Sequence, residues 1–392
     1  MSNSPTADAK TGTKANPANV SRKTVDWQKI GLAVLAPLLA IAVAVVITSL
    51  VLLISGDPIG PVWKVFLSTP AEGMPATILN DTAVLYLSGA AVAIGFRMNL
   101  FNIGVDGQYR VGMFAAAWFA GNAWLPGPLN VIVAIVVAMI AAAFWAWIAG
   151  ILKVKRGVSE VISTIMLNSI ATGLVAWLLT RTATSVEGSN ATSTKRIPES
   201  SHVPALPFWN TDFSNVFGLS LLAVVVGVLY WFVLGRTRFG FDLRTTGSSE
   251  TAAVASGINV KKMTLTAMVI SGAVAGLIGM PQLFGNDYAY GTNSQAGLGF
   301  AGIAVALIGR NHPVGIAFGA FLWAFLNAQS NSLQINAGVS PALVNIIQGI
   351  MVLAVIIAYE IVRRIGVRAE RRKVAQQLAA TPSPVAAQGA SA

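Results

Sequence analysis

Ten long apolar runs joined by short polar connections leave this chain little freedom in how it folds. A helix needs about 20 consecutive apolar residues to cross the hydrocarbon core of a bilayer. Runs of this kind recur from residue 30 to residue 362, at approximately 30–54, 76–96, 98–120, 129–152, 158–180, 217–235, 263–284, 296–309, 314–334 and 340–362. Backbone in lipid must satisfy its own hydrogen bonds, so the expected fold is all-α: a polytopic membrane protein of about ten transmembrane helices. Composition agrees, since 55% of the 392 residues are hydrophobic and only 10% charged, outside the range of water-soluble domains. The run at 296–309 is short and rich in glycine, which suits a broken or re-entrant element as well as a full crossing.

Lys and Arg in short loops stay on the cytoplasmic side. With both termini cytoplasmic, only Lys64, Arg181, Lys195 and Arg196 of the 26 basic residues fall in outward loops, and Arg110 lies inside a span. The net charge of +11 is therefore explained by anionic membrane lipids, with no nucleic acid needed. Residues 1–29 read as a disordered cytoplasmic N-terminal tail, 30–362 as the membrane domain and 363–392 as a cytoplasmic C-terminal tail. The chain has no cysteine, hence no disulfide framework. His202 and His312 fall on opposite sides of the membrane in this topology, and no metal site is expected. There is no phosphate-cradling G-x-x-x-x-G-K-[S/T] loop and no segment large enough to fold an ATPase, so no cofactor is expected in this chain and no enzyme chemistry has a visible basis.

Two loops are longer than the rest. The outward loop 181–216 is too polar for lipid and reads as a docking surface or as a passive loop. The cytoplasmic loop 236–262 contains a short helix signature: Ser248 or Ser249 as N-cap, then Glu250, Thr251, three alanines including Ala253, Val254, and Gly257 after its end. Such a helix either fits a groove on another protein or simply joins two spans.

The stretch "FRMNLFNIGVDGQYRVG" at residues 96–112 is unusual because it places ionisable groups between apolar runs. An ionisable residue deep in the bilayer costs roughly 2.5–3.5 kcal/mol on insertion scales, so it faces a partner or a watery path. Counting a continuous helix from Met98 at about 1.5 Å per residue puts Asp106 on the order of 12 Å into the membrane. Asp106 and Arg110 are spaced to form an i,i+4 ion pair; with Asn102 and Gln108 they also suit a polar lining for a solute. Glu160, Thr164 and Asn168 form a second stripe, at spacing four on one helix face. That stripe reads as interhelical hydrogen bonding or as pathway lining. Further polar points inside spans are Asn80, Asp81, Ser163, Asn327, Gln329, Asn331, Gln334 and Gln348.

Four motifs in order give the chain a family resemblance: "GFRMNLFNIGVDGQ" at Gly95–Gln108, "SEVISTIMLNSIA" at Ser159–Ala171, "RTRFGFDLRTTG" with "AAVASGI" between Arg236 and Ile258, and "GFAGIAVALIGRNHPVG" at Gly299–Gly315. From about residue 80 to 362 the chain resembles permease subunits of bacterial ABC importers. The branch is that of ribose and branched-chain amino acid permeases, nearest the nucleoside (Bmp-type) and simple-sugar members. The family more often has Glu where Asp106 stands and an apolar residue near Arg110.

The resemblance implies a multi-pass protein of the bacterial inner membrane, working with a cytoplasmic ABC ATPase that binds ATP, a second permease subunit of different sequence and an extracytoplasmic binding protein. It implies that Gly247, Ser248, Glu250, Ala253 and Gly257 belong to the element that couples to the ATPase, with the Gly309–Pro313 turn as a second contact. Asn102, Asp106, Gln108, Glu160, Thr164 and Asn168 are the candidates for the translocation pathway. "IGVDG" at Ile103–Gly107 resembles "LGFAG" at Leu298–Gly302, which would place two glycine-broken segments on opposite sides of one central path. The implied substrate is a nucleoside, with a simple sugar as the alternative. Outside this family, an ion- or proton-coupled carrier using Asp106 and Glu160 remains open, as does a pore or scaffold without directed transport.

Overall fold

The computed structural model describes residues 27–185, 192–207, 214–292, 294–340 and 342–380. Its helices are α1 (Trp27–Ser55), α2 (Ile59–Leu67), α3 (Met74–Phe96), α4 (Val105–Gly121), α5 (Gly127–Arg156), α6 (Glu160–Thr182), α7 (Leu221–Arg236), α8 (Arg238–Ser248), α9 (Glu250–Ala255), α10 (Val260–Ala275), α11 (Met280–Gln282), α12 (Leu298–Ile308), α13 (Pro313–Ala337) and α14 (Ala342–Ala380). The strands β1 (Thr184–Ser185) and β2 (Thr192–Ser193) pair antiparallel between α6 and α7. A helix lies at each of the ten expected places, and six segments are long and apolar enough to cross a membrane: α3, α5, α6, Gly218–Arg236, Val260–Asp287 and Ala342–Arg368. The chain is thus a multi-pass, mostly helical membrane protein. By backbone contacts it divides into two units, Met1–Leu39 with Ala358–Ala392, and Ala40–Ile357; the second contains the residues of the site.

Several expectations change. The helix expected from residue 98 starts only at Val105, because Arg97–Gly104 is irregular and Asn99 takes a left-handed φ of 57°. The depth counted for Asp106 along a continuous helix therefore does not apply. α2 and α8 were not foreseen. α14 continues through Ala380, so residues 363–380 of the expected C-terminal tail are helical. Residues 1–26 and 381–392 of the expected tails, and 186–191 and 208–213 of the outward loop, lie outside the described residues.

The packing is small inside and large outside. On α5, Leu129, Ile132, Val136, Ile140, Phe144 and Trp147 recur every three or four residues and are exposed, while Ala134, Ala138, Ala142, Ala146 and Gly150 are buried on the opposite face. That buried ridge packs on α10 and α4. A β-carbon on Gly272 of α10 would lie 2.8 Å from the Ala142 oxygen, and one on Gly276, just past the end of α10, would lie 2.8 Å from the Ala138 carbonyl carbon, so α5 and α10 touch backbone to backbone. Lipid tails are as apolar as leucine; helices in a bilayer therefore associate through close packing of small residues instead of through expulsion of water.

Candidate functional site

The irregular stretch before α4 is tied down by its own amides. Asn102 and Gln108 form a two-way amide pair: Asn102 Nδ2 donates to Gln108 Oε1 at 3.0 Å, and Gln108 Nε2 returns a bond to Asn102 Oδ1 at 2.9 Å. Asn102 Nδ2 also donates to Ser271 Oγ of α10, whose hydroxyl donates in turn to the Ala91 carbonyl of α3. Asn102 Oδ1 accepts from the Gly104 N–H at the N-cap of α4. One buried cluster therefore joins α3, α4 and α10.

The stripe on α6 meets the same stretch. Asn168 Oδ1 accepts from the Gly107 N–H at 2.9 Å, and Asn168 Nδ2 donates to the Ile103 carbonyl at 2.9 Å. The first turn of a helix has N–H groups without an intrahelical partner; here a side chain from another helix supplies one. Thr164 donates to the Glu160 carbonyl. Glu160 Oε2 accepts from Lys153 Nζ of α5 at 2.6 Å. The two sets of polar residues singled out in the sequence thus converge, and all six are buried.

Asp106 has two partners. Its Oδ2 accepts from Arg110 Nε at 3.1 Å, the i,i+4 pair expected from spacing, and its Oδ1 accepts from the Gly299 N–H in the first turn of α12 at 3.2 Å. A carboxylate placed at the N-termini of α4 and α12 complements the positive ends of both helix dipoles. The resembling segments Ile103–Gly107 and Leu298–Gly302 therefore touch each other directly instead of facing across a central path, and Gly299 is required because a β-carbon there would collide with the Asp106 backbone.

None of these six residues lines a cavity of about 350 Å³ that lies beside them. Its walls come from α3, the segment before α12, α12, α13 and α14, and include Leu85, Gln295, Trp323, Asn327, Asn345 and Gln348. The Tyr109 hydroxyl of α4 donates to the Gln295 carbonyl, which anchors this wall to the buried cluster. A larger recess of about 530 Å³ between α3, α7 and α13 is almost wholly apolar, with Leu79, Val224, Trp231 and Val314 in its walls, and offers little to a polar solute. Asn327 and Gln348 were visible in the sequence as polar points within spans; Gln295 and Asn345, single polar residues near span ends, and Trp323, a lone aromatic in mid-span, were missed because none of them carries a spacing signal.

At the opposite end of α3, Arg97 donates through Nε and Nη2 to the Asn311 carbonyl at 3.0 and 2.7 Å, and the Tyr230 hydroxyl of α7 donates to the same oxygen at 2.8 Å. Arg310 and Asn311 both hold left-handed φ values, 52° and 55°, in the turn that starts α13. The expected short helix is α9. Ser249 caps it by accepting from the Ala252 N–H, and Gly257 follows with φ 78°. Ser248 instead ends α8, donating to the Thr245 carbonyl. Ala253 is buried, whereas Glu250 and Val254 are exposed. Gly247 packs against the Arg97 carbonyl, with a β-carbon there falling 2.8 Å from Met98 Cα. Residues 247–257 therefore press on the end of α3 through Gly247 and leave an outer face open.

The family described as "Branched-chain amino acid transport system / permease component" matches residues 74–356. A guanosine ABC transporter permease protein of Bacillus subtilis is 36% identical over 83% of this chain and 94% of its own length. A glucose ABC transporter permease protein of Haloferax volcanii is 32% identical over 90% and 94%. A nucleoside ABC transporter permease protein of Lactococcus lactis is 29% identical over 83% and 91%.

Proposed function

The chain belongs to the permease-component family of branched-chain amino acid transport systems, and from that membership we propose that it forms the translocation pathway of an ABC importer for nucleosides. The observation that carries the substrate class is the cavity. Among the described residues its walls hold amides and a tryptophan and no Asp, Glu, Lys, Arg or His. An amino-acid zwitterion would meet no counter-charge there, and burying an unpaired charge is strongly unfavourable. A neutral nucleoside suits it, in line with the guanosine and nucleoside permeases among its relatives. A simple sugar is the second reading, favoured by the glucose permease.

In this reading the chain is a transport subunit without a catalytic site of its own, crossing the bacterial inner membrane about ten times with both termini in the cytoplasm. It works with an ATPase, a second permease of different sequence and an extracytoplasmic binding protein. α9 seats in the ATPase through Glu250 and Val254. Movement there reaches the end of α3 through Gly247 and passes from Arg97 to Asn311 and so to α13, which carries Trp323 and Asn327. The six buried polar residues, Asn102, Asp106, Gln108, Glu160, Thr164 and Asn168, form the rigid wall behind the pathway.

The test is uptake of radiolabelled guanosine into proteoliposomes that hold the four components with ATP inside. Uptake is expected only with the ATPase present and ATP available. Accumulation by this chain alone, driven by an ion gradient, would overturn the reading and favour a coupled carrier.

A further inference from the structure

Two helices place amide side chains where a lone chain would show them to lipid. Asn327 lies fourteen residues into the 25-residue α13, near its middle, and Asn345 lies in the first turn of α14; both are exposed. Gln348, one turn after Asn345, is buried and donates through Nε2 to Asn327 Oδ1 at 2.6 Å. Trp323 sits one turn before Asn327 on the same face of α13, half-buried at the wall of the cavity. Among the described residues, the Asn345 amide and the Trp323 indole N–H have no hydrogen-bond partner. Polar side chains in a span face protein or a watery cavity because hydrocarbon offers them nothing. Here they face the cavity of about 350 Å³, which lies within the roughly 300–1,000 Å³ typical of small-molecule sites.

We propose that Trp323, Asn327, Asn345 and Gln348 form a membrane-embedded solute site in which a nucleobase stacks on Trp323 and pairs its edge with the three amides. The assignment rests on the permease reading above. A primary amide presents a donor and an acceptor side by side, the pattern that a base edge complements. An indole ring supplies the flat apolar face on which bases of any kind stack. The Asn327–Gln348 bond sets one amide's orientation in advance, which lowers the ordering cost of binding. Because the described residues of the walls carry no charge, a phosphorylated nucleotide finds no cation among them and is disfavoured.

The site is tested in the complete transporter, reconstituted with ATP inside and guanosine-loaded binding protein outside. Initial uptake, binding-protein-stimulated ATP hydrolysis and co-purification of the ATPase are read together. Trp323→Ala, which removes a base-stacking contact, and Asn345→Ala, which removes hydrogen bonds to the base edge, are each expected to cut uptake about tenfold, while hydrolysis and co-purification stay near wild type. Trp323→Phe, which keeps a ring, should retain most of the uptake. Unchanged uptake in both alanine variants, beside a wild type that carries guanosine, would overturn the site. So would a loss of uptake that merely follows loss of the ATPase. A wild type that carries glucose and no nucleoside would overturn the nucleoside reading instead. Photolabelling of the wild-type transporter with 8-azidoguanosine needs no variant to fold: label on the α13–α14 region is expected, and label confined to other helices would overturn the site.

Discussion

Gly299→Ala is the sharpest test of how this chain holds its interior together. A β-carbon at Gly299 would stand 2.8 Å from Asp106 Cβ, and closer still to the Asp106 backbone N and Cα, where ordinary contact begins at 3.4 Å. The first turn of α12 must then retreat by at least about 0.6 Å. The Gly299 N–H to Asp106 Oδ1 bond is already 3.2 Å, at the long end of such bonds, so the retreat breaks it. Overpacking costs about 1–3 kcal/mol, and losing a hydrogen bond to a charged group about 1.5–3 kcal/mol, giving roughly 2.5–6 kcal/mol together. In detergent the variant should melt several degrees below wild type by intrinsic fluorescence or by fluorescence-detected size exclusion. Gly349→Ala provides the control: Gly349 lies inside α14 with nothing within 4 Å of an added β-carbon, and the change should be neutral or stabilise by about 0.5–1 kcal/mol. If Gly299→Ala melts with the wild type, the contact between the two helix N-termini is not what holds α12 in place.

Asp106→Ala strands Arg110, whose side chain is only 20% exposed, at about 3 kcal/mol, and also leaves the Gly299 N–H unpaired; Asp106→Ala/Arg110→Ala should recover only the part due to the stranded charge, and a double variant no more stable than the single one would refute the pairing. Asn168→Leu leaves the Gly107 N–H and the Ile103 carbonyl unpaired, at about 1–3 kcal/mol each, and should lower the melting temperature more than Asn168→Asp, which keeps one acceptor. Equal melting of the two would show that the interhelical bonds carry little. Gly247→Val crowds Arg97 and Met98 and should cut uptake at least tenfold while ATP hydrolysis continues; parallel retention of uptake would remove Gly247 from the coupling route. Glu250→Arg reverses the charge on the exposed face of α9 and should reduce recovery of the ATPase in pull-down, with unchanged recovery arguing that the ATPase contacts another surface.

What could be read in advance followed short-range rules. The Ser249 cap, the Gly257 stop, the Asp106–Arg110 pair and the inward stripe of Glu160, Thr164 and Asn168 all depend on spacings of three to eight residues, which a sequence displays directly. The start of α4 was misplaced because Met98, Leu100, Phe101 and Ile103 let Arg97–Gly104 read as part of the following apolar run, and hydropathy cannot register a break that is stabilised by Asn102 and Asn168 from within the protein. α8 was missed for the opposite reason: it is polar, and its anchoring comes from Leu243 and Gly240 packing on other helices. The cavity was least legible. Its walls gather Leu85, Gln295, Trp323, Asn327 and Gln348 from positions more than 250 residues apart along the chain, and Gly299 was legible as a glycine but not as the neighbour of Asp106.

The alanine and glycine ridge between α5 and α10 has a thermal consequence. Separating two helices inside a bilayer exposes them to lipid tails and not to water, so this step lacks the large heat-capacity increase that comes from hydrating apolar surface. Its free energy should then fall in a nearly straight line on heating, with no maximum near room temperature and no weakening in the cold. For this part of the protein, chilling tightens the helix contacts.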